Sequence, residues 1–514
     1  MKLKVRLLEI QAGGRSIAIL DDETASFLGV HSSDRVRISV GNQQVIAIVN
    51  VAANYPPNYV GLYDEVSKKL AVKGGETVEV QSAEAPESIG YVQAKIRGER
   101  LREKEIDTIV KDAVTHHLSD VELASFVTAL YINHLSMEEI EALSRAMVKT
   151  GRTLSLDKRP ILDKHSIGGI PGDKTTILIV PIVAAAGFTI PKTSSRAITS
   201  PAGTADRVET LCPVNLTIEE IEGVVNKTNG CMVWGGALEL APADDIFIKV
   251  EYPLAIDPLL LPSIMSKKKA IGATHLVVDI PTGRGAKIKT IREAQLLGYD
   301  FIDLGKRLGI VVQCAATFGE QPLGYAVGPA LEAREALSTI MGDGPPDLRE
   351  KAIDIAGILL EMTGMENGKQ KADELLRSAK AERKLREIIE AQGGNPKVRP
   401  EDIAVGDKKA EITTEKGGRV LWINNEDVAN IAKEAGAPKE KGAGVVLRTK
   451  LGDNVKKSGT LIDIYAERNV KLEAAIELAK RLHPIGLSEK PEERMLIDRI
   501  PPQTIQRKPF ILER

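Results

Sequence analysis

The chain's 514 residues exceed what one hydrophobic core organises, so three or four domains are expected. Hydrophobic residues make up 43% and charged residues 27%, a composition that excludes a disordered or fibrous chain. The formal charge of −2 excludes a surface built for nucleic acid, so any phosphate binding must be local.

The opening MKLKVRLLEI has no apolar run ahead of a small-residue cleavage site, so a cytoplasmic protein without a secretory signal is expected. Residues 1–84 alternate apolar and polar, as in Lys4-Val5-Arg6-Leu7 and Arg35-Val36-Arg37-Ile38, with turns at Gly13-Gly14, Asp21-Asp22 and Gly41-Asn42. This predicts a β-rich N-terminal domain. After Val92 the period changes. Ser119 with Glu122, and Ser136 with Glu139, are capping-box pairs, and Leu123, Phe126, Val127 and Leu130 share one helical stripe. A helical domain over 88–150 follows.

From Leu162 strands, glycine loops and helices alternate. Buried strands are predicted at 276–280 and 310–315, with an amphipathic helix over about 291–308 between them. That alternation predicts an α/β domain over 155–412 with a mixed or parallel sheet, helical again from 329 to 390. The runs Val445-Val446-Leu447 and Leu461-Ile462-Asp463-Ile464 give a small α+β C-terminal domain over 413–514. The fold class is therefore multidomain α/β, without internal repeats. The longest apolar stretch, 177–190, is short for a bilayer and is broken by Pro181 and Gly187, so no membrane partner is expected. Three scattered cysteines and seven histidines without ligand spacing argue for a reducing compartment and against a metal site.

Chemistry concentrates first in Asp163-Lys164-His165-Ser166-Ile167-Gly168-Gly169-Ile170-Pro171-Gly172-Asp173-Lys174-Thr175-Thr176. Its glycines let backbone approach a ligand, and a following helix N-terminus suits an anion. Asp173 between Gly172 and Lys174 breaks the Gly-Lys-Ser/Thr of a P-loop, so a nucleoside-triphosphatase is rejected. Alone, such a loop is more often a ligand-free strand-to-helix turn. Thirty residues on, Thr193-Ser194-Ser195-Arg196-Ala197-Ile198-Thr199-Ser200-Pro201-Ala202-Gly203-Thr204-Ala205-Asp206 places six hydroxyl residues and an arginine between apolar elements. That grouping suits a ribose and phosphate cradle, since hydroxyls and guanidinium groups donate to anions.

Together these segments resemble the thymidine/pyrimidine-nucleoside phosphorylase family, whose hallmark is Lys-His-Ser-x-Gly-Gly followed by Ser-x-Arg and Gly-Thr-x-Asp. Ser263-Ile264-Met265-Ser266-Lys267 and Asp279-Ile280-Pro281-Thr282-Gly283-Arg284-Gly285-Ala286 also match it, so the resemblance spans about residues 88–480. Pro171, the wording Ser194-Ser195-Arg196-Ala197-Ile198-Thr199-Ser200 and the β-rich extension resemble its archaeal AMP phosphorylase branch. The resemblance implies phosphorolysis of AMP, CMP or UMP to free base and ribose 1,5-bisphosphate. It needs no cofactor, takes the nucleoside monophosphate and inorganic phosphate as small-molecule partners, and implies a homo-oligomer. It also implies a second helical segment at about 244–272 joining the helical domain.

Residue by residue, the resemblance assigns Lys164, Ser166, Thr176, Ser194 and Thr204 to inorganic phosphate. It assigns Gly169, Ser195, Arg196, Ala197, Ile198, Thr199, Ser200, Thr204, Ser263 and Lys287 to the nucleotide, and makes Asp257 the proton donor. Two departures stand out. The base-recognising arginine of the nucleoside enzymes has no counterpart among Ile248-Lys249-Val250-Glu251, and the span from Asp257 to Ser263 is two residues shorter than the branch's pattern.

Each assignment has a plainer alternative. Asp257 before Pro258 is a common helix N-cap pattern. His165 is either a phosphate donor or a packed loop histidine, and Lys287 is either a substrate contact or a surface lysine. In Lys267-Lys268-Lys269 at most two side chains can face a site, leaving the rest solvated. The rival activities are a pyrimidine nucleoside phosphorylase, an anthranilate-type phosphoribosyltransferase, and a non-catalytic nucleotide-binding assembly protein. The second carries a Gly-Gly-Asp-Gly loop and acidic magnesium ligands that are missing here.

Overall fold

The computed structural model describes residues 1–197 and 200–488. The N-terminal unit is a closed barrel of β1 (Lys2–Leu7), β2 (Ile17–Leu20), β3 (Arg35–Val40), β4 (Gln43–Val51), β5 (Tyr59–Leu62) and β6 (Thr77–Ala83), in the order β1-β5-β2-β4-β3-β6. Short helices α1 (Asp22–Leu28) and α2 (Asp64–Leu70) complete it. Alternation sends Leu3, Val5, Val36 and Ile38 inward, and closure leaves no free sheet edge. The barrel docks on the helical unit through Arg35, which donates to the His117 carbonyl at 2.9 Å and to Glu122 at 2.5 Å.

That unit comprises α3 (Ser88–Ile96), α4 (Glu103–Val114), α5 (Asp120–Asn133) and α6 (Met137–Lys149). Both expected capping boxes form, at Ser119/Glu122 and Ser136/Glu139. Glu139 also holds a fully buried pair with Lys95 at 2.7 Å and accepts from the Leu101 amide, so its charge is answered on two sides.

The α/β unit opens with β7 (Leu162–Ser166), followed by α7 (Thr176–Ala185), β8 (Ile190–Ser194), α8 (Thr204–Val208), α9 (Ile218–Thr228) and β9 (Gly230–Trp234). Two helices, α10 (Pro242–Leu254) and α11 (Leu260–Ala270), then leave this unit and pack on the helical one. Phe247 meets Phe126 there at 5.9 Å, and Leu259 joins the same core. The chain returns as β10 (His275–Thr282), α12 (Ile291–Leu308) and β11 (Val311–Phe318). The order is β11-β10-β7 with a separate β8-β9 pair, and a bridge between Ile161 and Thr189 joins them. All these pairings are parallel, so this sheet is not mixed. Helix α7 is buried on every side, which explains its uninterrupted apolar sequence.

After the two-residue β12 (Ala326–Val327), α13 (Pro329–Ile340), α14 (Pro346–Glu361), α15 (Gly368–Arg377) and α16 (Lys380–Ala391) close the core around α7. The C-terminal unit holds β13 (Lys408–Thr413), β14 (Gly418–Ile423), α17 (Asn425–Glu434), β15 (Gly444–Leu447), β16 (Asn454–Val455), β17 (Thr460–Ala466), α18 (Asn469–Leu482) and β18 (Ile485–Ser488). Its sheets run β12-β15-β17-β13 and β16-β14-β18. Because β12 and β13 pair with C-terminal strands, this sheet reaches back past residue 413. No helix among the described residues is long and apolar enough to cross a membrane.

Candidate active site

The glycine loop leaves β7 at Ser166 and enters α7 at Thr176. Gly168 and Gly169 take φ of +79° and +87°, a left-handed backbone that favours glycine. A Cβ on Gly169 would lie 2.4 Å from the Lys287 amide nitrogen, so this glycine is where two loops touch. Lys164, buried, donates to the Thr175 hydroxyl at 2.9 Å and lies 3.7 Å from Asp173. Burial would raise the Asp173 carboxyl, but Lys164 and Lys351 beside it, with the Thr175 hydroxyl, hold it well below its ordinary value. Lys174 turns away, bound to the carbonyls of Leu323 and Ala326 and to Glu335 at 2.5 Å. It is a structural tie, in keeping with rejection of the P-loop.

Around β7 lies a buried charge cluster that the motifs do not reveal. Asp163 meets Lys268 at 2.7 Å and Lys192 at 3.6 Å. Asp279 accepts from the hydroxyls of Ser166 at 2.8 Å and Thr317 at 2.6 Å, and meets Lys351 at 2.8 Å. Burial, with Lys268 and Lys164 nearby, pushes the Lys192 ammonium down to about 7 despite Asp163. Burial and the lysines Lys268, Lys192, Lys164 and Lys267 drive His165 well below its ordinary value, so its imidazole is neutral. The Ser194 hydroxyl, closed off from solvent, finds no hydrogen-bond partner among the described residues. An incoming anion would supply one.

The second loop is held by Asp206, whose carboxylate accepts from the amides of Ala197 at 2.7 Å and Gly203 at 3.0 Å. A Cβ on Gly203 would strike the Ala197 nitrogen at 2.5 Å, so glycine is required for this closure. The sequence assigned Arg196 to the nucleotide. The structure instead commits its guanidinium to Glu209, at 2.7 and 2.5 Å, and to Asp206 at 3.3 Å, over the Trp234 ring. That bond, with Lys441, holds the Glu209 carboxyl down to about 2. Ser195, exposed, and the backbone of Arg196 and Ala197 remain open to a ligand on this loop. Ser200 donates to the Ala202 carbonyl, and the Thr204 hydroxyl accepts from Arg207 at 3.3 Å. Ile198 and Thr199 lie outside the described residues.

Asp257 sits in the turn between α10 and α11, its half-exposed carboxylate 3.7 Å from the Lys287 ammonium. It does not cap α11, which begins at Leu260 with no side-chain cap bond. Burial and Asp244 raise the Asp257 carboxyl, and Lys287 opposes them without cancelling the rise. Ser263 lies in the first turn of α11, half-buried. Gly169, Lys287 and Asp257 therefore form one chain of contacts across two units. Gly285, two residues before Lys287, packs on Asn425 of the C-terminal unit, whose amide donates to the Gly319 carbonyl at 2.9 Å.

The three-lysine run departs from expectation. Lys267 pairs with buried Asp244 at 2.5 Å, Lys268 with Asp163, and Lys269 donates to the Leu308 carbonyl at 2.8 Å, so none is merely solvated. Lys192, Lys268, Lys351, Asp279 and Glu251 were not read as site residues. The available signal was an ionisable residue within a buried strand, as in Val277-Val278-Asp279-Ile280. No cluster of three His, Cys, Asp or Glu side chains among the described residues is placed to hold a metal ion.

The chain matches three family models. They are the helical bundle domain of the glycosyl transferase family over residues 89–151, that family's a/b domain over 158–382, and the pyrimidine nucleoside phosphorylase C-terminal domain over 420–486. The AMP phosphorylase of Thermofilum pendens is 50% identical over 500 residues, covering 97% of this chain and 98% of its own. That of Thermococcus kodakarensis is 50% identical over 506 residues, covering 97% and 99%. That of Pyrococcus horikoshii is 51% identical over 493 residues, covering 95% and 98%. Among solved structures, the anthranilate phosphoribosyltransferase of Thermus thermophilus aligns with a TM-score of 0.51 at 21% identity. It covers 59% of this chain and 98% of that one, a likeness of fold alone.

Proposed function

The chain belongs to the AMP phosphorylase family, and from that premise we propose that it cleaves the N-glycosidic bond of AMP with inorganic phosphate. A phosphate oxygen bonds to C1′ as the C1′–N9 bond breaks, so the products are adenine and ribose 1,5-bisphosphate. CMP and UMP are further substrates of the same site. The observation that carries the reading is the contact chain from Gly169 through Lys287 to Asp257, which brings an anion-suited loop beside a raised carboxyl.

Lys164, Ser166, Thr176, Ser194 and Thr204 hold inorganic phosphate, with Ser166 releasing Asp279 to do so. Gly169, the segment 195–200, Thr204, Ser263 and Lys287 hold the nucleotide, Lys287 as a cation for the 5′-phosphate. Bond cleavage builds positive charge on the ribose, and the attacking phosphate's negative charge stabilises it. Asp257, protonated, donates to the departing base, turning a poor leaving group into a good one. Four units serve this chemistry: 1–84, 88–150 with 244–272, 155–412 and 413–514. The helical and α/β units close on the substrates and exclude water. The barrel serves assembly of a homo-oligomer, and the three free cysteines suit a reducing cytoplasm.

The test is release of adenine from AMP by purified protein with and without phosphate. Phosphate-dependent release is expected. Release without phosphate would make the protein a hydrolase, and no release would return it to the nucleotide-binding reading.

A further inference from the structure

Asp257 occupies a short turn, and both neighbours that fix its path are held by one residue. The Ile256 amide donates to the backbone carbonyl of Glu251 at 3.3 Å, closing the end of α10. The Leu259 amide donates to the Glu251 carboxylate at 3.1 Å, fixing the entry to α11. Asp257 lies between these two anchors. Glu251 is only 6% exposed, an unusual place for a carboxyl held, among the described residues, by a backbone amide rather than a cation.

We propose that Glu251 is a positioning residue for the leaving-group acid, clamping the turn that carries Asp257 and setting, through its own charge, how readily that carboxyl gives up its proton. The inference rests on the reading of Asp257 as the proton donor. Two carboxyls close together cannot both ionise cheaply, so the pair gives up its last proton well above the ordinary carboxylate range. Burial and the Asp257 charge push Glu251 up to about 7. Asp257 is raised by burial and Asp244 in turn. The charged groups facing the pair are Asp244 and Lys267, themselves joined at 2.5 Å, and Lys287 at 3.7 Å from Asp257. Asp245 and Lys249 lie on the same helix as Glu251. Helices α4 and α5 present Ile106, Ile109, Val110, Phe126 and Val127 to the core that α10 joins, an apolar wall that sustains the shift.

An acid must be protonated to work, so activity is present below the pair's upper titration and lost as pH rises through it. Glu251→Gln keeps an oxygen for the Leu259 amide but removes the charge. Its kcat/KM for AMP is measured against pH and divided by that of the parent at each pH, which cancels the titration of the phosphates. The alkaline limb is expected about one pH unit lower in Glu251→Gln, with the acid plateau within about threefold of the parent. A ratio flat across pH, whatever its size, overturns the proposal.

A second measurement does not require that variant to fold. In protein labelled with ¹³C at glutamate carboxyls, the resonance titrating near neutral pH is followed in the parent and in Asp257→Asn. It is expected to move to lower pH once the neighbouring charge is gone; an unmoved midpoint overturns the coupling. If Asp257→Asn keeps more than about a tenth of the parent's kcat, below the general-acid range, the Asp257 reading fails instead. That outcome is distinct from either result on Glu251.

Discussion

Replacing Gly169 by alanine tests the junction on which the site depends. Two costs are separable. Any alanine at a φ near +87° pays for the left-handed backbone, about 1–2 kcal/mol. Gly169 pays more, because the new Cβ would sit 2.4 Å from the Lys287 nitrogen where ordinary contact starts at 3.4 Å. One loop must therefore retreat by about 1 Å, and the atom in the way is backbone rather than a flexible side-chain end. Gly168 is the built-in control: it has a similar φ of +79° but nothing within 4 Å of its Cβ position. A misplacement of about 1 Å at a reacting site costs about a hundredfold, so kcat/KM for AMP should fall by that order in Gly169→Ala. Gly168→Ala should lose about fivefold to thirtyfold, the equivalent of its backbone penalty alone. Steady-state rates at saturating phosphate measure both. Equal losses in the two variants would refute the claim that the loops meet at Gly169.

Asp257→Asn keeps the shape but cannot transfer a proton, so kcat should fall about 10² to 10⁴ with AMP binding, read by calorimetry, unchanged. Lys287→Met should shrink the preference for AMP over adenosine by about tenfold or more, the worth of one charge-assisted phosphate contact; an unchanged ratio of kcat/KM values would clear Lys287 of that role. Deleting residues 1–84 should lower the particle mass seen by light scattering while part of the activity survives. The motivation is a closed barrel without any phosphate-cradling motif, and a truncated protein of full oligomeric mass would contradict it.

Much of the fold was legible because local signals agreed with the final packing. The alternation around Val5 and Ile38 became barrel core, and the two serine-glutamate pairs became caps. The strands read at 276–280 and 310–315 became β10 and β11, lengthened by two or three residues into polar ends such as Pro281 and Thr282. What escaped was whatever depends on a partner far along the chain. Ile190-Pro191-Lys192-Thr193-Ser194 does not look like a buried strand, since proline and lysine both disfavour one. It is buried because Lys192 finds Asp163 at 3.6 Å across the sheet. The lysine run 267–269 looked like a solvated face because Asp244, Asp163 and the Leu308 carbonyl are unrelated to it by spacing. Arg196 has the right chemistry for an anion, but its bonds to Glu209 and Asp206 could not be read from the spacing. Glu251 gave no signal at all, since a glutamate on a helix is ordinary until its surroundings are known.

The buried cluster also carries a net charge that would favour an anion beside the glycine loop over a neutral ligand. Around β7, Lys164, Lys192, Lys268 and Lys351 face the carboxylates of Asp163, Asp173 and Asp279, and every one of these residues is less than a tenth exposed. Each lysine has a carboxylate within 4 Å, yet four cations against three anions leave the cluster with a net positive charge where charge is costly to bury. Burial above all, with Lys268 and Lys164 nearby, lowers the Lys192 ammonium to about 7 despite Asp163. Water carries no charge and relieves nothing there. A phosphate anion on the loop above would answer the excess and favour the charged form of all four lysines. That stabilisation would go to phosphate and not to its neutral competitor, which brings no charge to the cluster.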